Sequence, residues 1–177
     1  MSGEPLFYVM DFRETRTEDL DEVMQIYAQA KKWMKEAGNP QWQGSYPARE
    51  DIEKDMAAHG SYVLVDEGRI VATTAILFGD DLHYHQIQGK WLNDQPYGVI
   101  HRTAVAGRGK GYGSVLIQYA EKLARDRNIA NLRMDTHEKN ASMRHLMEKN
   151  GFVWCGTVWM DDGSPRMAGQ KVLDAQK

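Results

Sequence analysis

The sequence predicts an α/β domain, a sheet covered by helices, and three observations lead there. Segments rich in β-branched residues alternate along the chain with segments whose apolar residues recur every three and four positions. Hydrophobic residues make up 42% and charged residues 27% of 177 residues, a globular balance with enough chain to bury a core. No repeat, low-complexity tract or linker divides the chain, so residues 1–177 are expected to form one domain.

Each element has its own signal. Phe12 to Arg16 reads as a first strand. Thr17 then offers a capping hydroxyl ahead of Glu18 and Asp19, and Leu20, Val23, Met24, Tyr27, Ala28 and Met34 form one helical stripe that ends at Gly38-Asn39-Pro40. Residues 40–47 are turn-rich, and a second helix is expected over Ala48–Ala58. Ser61–Val65 and Arg69–Phe78 flank the turn Asp66-Glu67-Gly68 and predict a hairpin. The stretch 79–96 carries no clear period. Tyr97–Val105 predicts a strand, Ser114–Asp126 a helix, Ala130–Thr136 a strand and Asn140–Lys149 a helix with Met143, Leu146 and Met147 inward. Phe152–Met160 and Arg166–Leu173 predict two last strands around the turn Asp161-Asp162-Gly163-Ser164-Pro165.

Charge and cysteine content narrow the function classes. A net charge of −3 gives no electrostatic case for nucleic acid as a partner. The single cysteine, Cys155, rules out an internal disulfide framework and suits a reducing compartment. Residues 1–5 do not resemble a signal peptide, and no apolar run approaches the ~20 residues of a membrane helix. The expected protein is soluble and cytoplasmic, without a membrane partner.

The most informative segment is Val105-Ala106-Gly107-Arg108-Gly109-Lys110-Gly111-Tyr112-Gly113-Ser114, which joins a strong strand to a strong helix. Glycines at alternate positions let backbone N–H groups approach a ligand closely, and a helix N-terminus with Arg108 and Lys110 beside it favours an anion. The chemistry is that of a phosphate or pyrophosphate cradle. It is not a Walker loop, because Gly111 stands where Ser or Thr must follow the lysine. Nor is it a dinucleotide fingerprint, because GxGxxG fails at Tyr112 or at Ser114, depending on the starting glycine.

Arg108-Gly109-Lys110-Gly111-Tyr112-Gly113 resembles the R/Q-x-x-G-x-G/A signature of GNAT acetyltransferases. Asn140 to Phe152 resembles that family's second signature, an Asn-led helix ending in Gly-Phe. The resemblance covers nearly the whole chain. It implies a mixed, mostly antiparallel sheet splayed near the coenzyme A site, with helices on both faces. It implies acetyl-CoA as co-substrate, no metal, and Ala104, Val105, Arg108, Gly109, Lys110, Gly111, Tyr112, Gly113, Ser114 and Asn140 as the residues that hold it. Two positions depart from the family pattern. The turn between Val105 and Arg108 is two residues shorter than the commoner form, and Met147 stands where a tyrosine often protonates the leaving thiolate. A thioether has no proton to give. Its helix face is expected to hold a large side chain.

Amine attack on a thioester needs a neutral amine and a stabilised oxyanion. Where relatives often carry a glutamate, four residues before the strand-ending valine, this chain has His101, whose ordinary pKa of ~6.5 suits base duty. His101 reads equally as a sheet residue with a satisfied hydrogen bond. Strict alternation puts Val99, His101, Thr103 and Val105 on one face and Ile100, Arg102 and Ala104 on the other. The resemblance implies a backbone oxyanion donor at Val105.

Trp33, Trp42 and Tyr46 would wall the acceptor pocket in such a fold, or pack under a loop. His83-x-His85 lacks the neighbouring ligands that would complete a metal site. Asp80-Asp81 and Asp161-Asp162 read as solvated turns, and Cys155 as a small buried hydrophobe. Three functions follow: a small-molecule N-acetyltransferase, a protein or peptide N-acetyltransferase, and an acyl-CoA-binding sensor without catalysis. The oligomeric state is left open, a homodimer included.

Overall fold

The computed structural model describes residues 10–174, so the reading of residues 1–5 lies outside them. The chain runs β1 (Met10–Glu14), α1 (Leu20–Glu36), α2 (Arg49–Ala57), β2 (Ser61–Asp66), β3 (Arg69–Phe78), β4 (Gln88–Gly89), β5 (Gly98–Val105), α3 (Tyr112–Asp126), β6 (Asn131–Thr136), α4 (Ala141–Lys149), β7 (Val153–Trp159) and β8 (Pro165–Val172). The eight strands form one sheet in the order β1-β2-β3-β5-β6-β8-β7-β4. Every neighbouring pair is antiparallel except β5 and β6, which run parallel.

That parallel contact is short. Only Gly98↔Leu132 and Val99↔Arg133 are paired, after which β5 and β6 diverge and leave a cleft. The α1 stripe closes one face: Leu20, Val23, Ile26, Tyr27 and Ala30 pack with Ile52 of α2 on Val63, Ile70 and Ala104. The other face carries α3 and α4, where Ile117, Ala120, Ala124 and Met147 pack on Ile76, Ile100, Leu132 and Met134. Helices on both faces cover the apolar surface of β2, β3 and β5, while Val153 and Trp159 of β7 and Val172 of β8 stay exposed.

Three local readings change. The first strand is Met10–Glu14 rather than Phe12–Arg16. Thr17 does not cap α1. It opens a 3-10 turn over Thr17–Asp19, where the Asp19 carboxylate accepts the Arg16 N–H at 2.7 Å and the Arg13 guanidinium at 2.7 and 3.1 Å. Strict alternation also fails in β5. Ala75 pairs with His101 but Thr73 with Ala104, so β5 holds one extra residue, and Arg102 takes a left-handed φ of 49°. After this bulge the phase inverts. Ile100 and Val105 both pack on the α3 face, while Ala104 joins the α1 core.

The unread stretch 79–96 forms a 3-10 turn at Leu82–Tyr84 and the two-residue edge strand β4. Tyr84 is buried, with Trp91 and Tyr97 against it. Polar side chains tie the segment down: Asn93 donates to Asn131 at 2.9 Å, and the Leu92 N–H donates to Gln170 at 3.0 Å. Among the described residues no helix is long and apolar enough to cross a membrane.

Candidate active site

The divergence of β5 and β6 opens a cavity of about 1490 Å³. One end is lined by residues 107–114 and the start of α4. The other is lined by Trp42, Tyr46, Asp81, His83, His101, Arg102 and Asp161.

At the first end, Gly109 and Gly111 have φ of 71° and 77°, a conformation that glycine adopts without steric penalty. A Cβ built on either meets no protein atom within 4 Å, so this face of the loop is open. Gly111 is the N-cap of α3 and supplies no side chain to the first helical amides. Gly113 is needed for packing instead, since a Cβ there would lie 2.8 Å from Leu146 of α4. The open loop, the helix N-terminus, Arg108 and Lys110 fit a pyrophosphate. Arg108 lies 4.3 Å over the Trp33 ring, so Trp33 steadies the cradle as well as bordering the cavity.

At the other end, His101 Nε2 lies 3.1 Å from Asp81 Oδ2. Asp81 is not a solvated turn residue. Its side chain is 16% exposed, and Oδ1 takes the His83 backbone N–H at 3.0 Å and lies 3.1 Å from His83 Nδ1. Burial alone would raise its pKa, but the hydrogen bond and charge of His101, with those of His83, outweigh it and hold the carboxyl at about 2. His83 Nε2 is 2.8 Å from Asp161, and that bond raises the His83 pKa against partial desolvation, with Asp81 adding to it. Asp161 is exposed as a turn residue should be, yet it is not idle.

Arg102, put in place by the bulge, donates to Asp55 of α2 at 2.8 and 2.6 Å and to the Tyr46 hydroxyl at 2.7 Å. Its carbonyl accepts the Tyr27 hydroxyl at 2.6 Å. Burial pushes the Asp55 carboxyl up while Arg102 pulls it down, and burial likewise pushes the Tyr27 phenol up. Trp42 meets Tyr27 edge-on at 5.6 Å. Trp42 and Tyr46 therefore both border the cavity and brace its wall.

The remaining sequence-predicted residues are structurally engaged. Asn140 caps α4, its Oδ1 accepting the Met143 N–H and its Nδ2 donating to Gln41, each at 3.1 Å. Gln41, which sequence reading missed, also lies within reach of Thr136 and the His137 N–H. Ser114 accepts from Asn150 at 3.1 Å, and Tyr112 and Val105 pack against the same core cluster around Leu64, Ala72 and Leu116. Met147 is 0% exposed and is not a cavity wall. Its Cε would lie 2.9 Å from a Cβ on Gly169, so the expectation that this face holds a larger side chain does not stand: α4 turns the position onto β8. Cys155 is half-buried rather than buried, and desolvation raises its thiol pKa.

Residues 21–152 match the acetyltransferase (GNAT) family. Among solved structures, a GNAT-family acetyltransferase from Streptococcus agalactiae superposes with a TM-score of 0.86 at 32% identity, covering 94% of this chain and 96% of that one. A GNAT acetyltransferase from Listeria monocytogenes gives 0.72 at 20% identity over 93% and 95% of the two chains, a likeness of fold alone. A Salmonella typhimurium protein assigned as an acetyltransferase, with its cofactor acetyl-CoA, gives 0.61 at 18% over 95% and 96%, again fold alone. Streptothricin acetyltransferase of Streptomyces lavendulae is 39% identical over 54 residues, a match spanning 30% of this chain and 29% of that protein. Sheet order, splayed cleft, glycine cradle and family match agree: the chain belongs to the GNAT family of acetyltransferases, enzymes that take their acyl group from acetyl-CoA.

Proposed function

We propose that this enzyme acetylates a primary amine on a small molecule, by direct attack on acetyl-CoA in a ternary complex, with His101 as general base. One observation carries the reading: His101 lines the cleft at the splayed edge of β5, with Nε2 beside Asp81 and no hydrogen bond at Nδ1 among the described residues. The imidazole takes the amine proton as the nitrogen bonds to the thioester carbonyl carbon. The Val105 N–H receives the resulting oxyanion. Support for that donor comes from the next residue, because the Ala106 N–H donates to Val71 of β3 at 2.7 Å and successive N–H groups point to opposite strand edges, turning that of Val105 toward the cleft. Collapse breaks the carbon–sulfur bond, and the thiolate takes a proton from the imidazolium or from solvent.

The cradle would hold the pyrophosphate through the backbone of residues 109–114 with Arg108 and Lys110, near the edge at Ala104 and the α4 start at Asn140. A small acceptor is supported by Trp42 and Tyr46 in the cavity lining and by the partial likeness to streptothricin acetyltransferase. Thiol release from acetyl-CoA across a panel of small amines and peptides tests the proposal. His101→Ala is expected to lower kcat by about 10²–10⁴-fold with acetyl-CoA affinity unchanged. Turnover of peptides alone would move the assignment to a peptide acetyltransferase, and tight binding without release from any acceptor would make the chain an acyl-CoA sensor.

A further inference from the structure

We infer that Asp81 is a positioning residue for this reaction, holding His101 as the Nε2–H tautomer with the Nδ1 lone pair turned to substrate, and that His83 on Asp161 sets how much of the Asp81 charge reaches His101. The inference rests on His101 being the base.

The geometry fixes the carboxylate before it meets the imidazole. The Asp81 N–H donates to the Tyr97 hydroxyl at 2.9 Å, and Asp81 Oδ1 caps the 3-10 turn through the His83 N–H at 3.0 Å. Oδ2 is left for His101. A carboxylate only accepts, so the ring nitrogen 3.1 Å away must carry the proton. The opposite nitrogen is then the basic one, and the imidazolium that forms when it takes a proton lies against a fixed anion. The other groups that face His101 do not replace that anion. The Tyr84 ring is tilted at 6.4 Å with its hydroxyl donating to Asp135, and Arg102 and Asp55 are paired with each other. Asp81 has a second claimant in His83, which Asp161 biases toward its charged form. A charged His83 draws on Asp81 and opposes charge on His101. Asp161–His83–Asp81–His101 thus form an alternating line from solvent to the cleft, assembled from the segment after β3, from β5 and from the β7–β8 turn.

The test combines ring-nitrogen NMR of ligand-free protein with pH–rate profiles. In the wild type, His101 is expected to show Nε2–H. Asp81→Asn keeps an oxygen for the turn cap but loses the anion. It should mix the tautomers, move the acid limb of kcat/KM down by about one pH unit, and lower kcat by about 10–100-fold with acetyl-CoA affinity unchanged. His83→Gln should move the same limb upward, a reversal that a merely structural role does not produce. Asp81→Glu should recover part of kcat. In a His101→Ala background, Asp81→Asn should bring no further loss. An Asp81→Asn protein with unchanged ring signals and unchanged limb beside a slow His101→Ala overturns the role of Asp81 alone, as does a further loss in the double variant. A near-normal rate in His101→Ala overturns the base assignment, and the role of Asp81 with it.

Discussion

The two ends of the cleft are built by different means. The cradle is backbone from eight consecutive residues, Gly107 to Ser114, whose glycines at 109 and 111 adopt a left-handed conformation and leave the loop open. The wall proposed for the acceptor is side chain, gathered from Tyr46, Asp55, Asp81, His101, Arg102 and Asp161 by the crossing of strands. A backbone site is written in contiguous letters and damaged by adding atoms. A side-chain site is written in topology and damaged by removing a partner.

The largest effect expected from that contrast is at Asp55. Asp55→Ala leaves the Arg102 guanidinium buried and unpaired, which costs about 3–5 kcal/mol, to be measured by urea denaturation. Where the variant still folds, the acceptor KM should rise while acetyl-CoA affinity stays within about twofold, since nothing in the cradle touches the pair. Gly111→Val is the mirror experiment. A β-branched residue at φ 77° is strained, and its side chain enters the open face, so acetyl-CoA affinity by calorimetry should fall at least about tenfold with the acceptor wall intact. Equal loss of both affinities in either variant would dissolve the comparison.

Two smaller effects sharpen it. Met147→Tyr should lower stability by about 1–3 kcal/mol in thermal or urea melts and leave the rate without gain, because the position is core and not cleft. A faster Met147→Tyr would show the phenol reaching the sulfur after all. Trp33→Leu removes the ring under Arg108, an interaction of about 0.5–1 kcal/mol, so acetyl-CoA affinity should drop about two- to fivefold. The acceptor KM should not move. If the acceptor KM moves instead, Trp33 belongs to the wall.

What the chain discloses in its letters follows the same division. The hairpin over residues 61–78 was legible because β-branched alternation and Asp66-Glu67-Gly68 are local signals, and its structure keeps those limits to within a residue. The glycine turn that leads from β5 into α3 is legible for the same reason, its signal lying in consecutive residues. The bulge at Arg102 was not: no glycine or proline marks it, and its φ is accompanied by bonds to Asp55 and Tyr46, 47 and 56 positions away in the chain. Residues 79–96 carry no period because their apolar anchors, Tyr84, Ile87 and Trp91, sit on irregular backbone packed near Val158 and Ala168, and polar partners 38 and 78 positions distant tie down the rest. Asp81 looked like part of a solvated turn since Gly79-Asp80-Asp81 is turn chemistry, and only the return of β5 beside it brings His101 within reach.

The two paired positions that join β5 to β6 have a mechanical meaning. The eight strands behave as two four-stranded plates, β1-β2-β3-β5 and β6-β8-β7-β4, stitched along one short seam. Behind the seam lies α3, which touches β3 and β5 on one plate and β6 on the other, like a splint across a joint. On the proposed reading the acyl donor would seat in that wedge and stand in for the missing rungs, a keystone between the plates, which should then be stiffest against each other when it is bound.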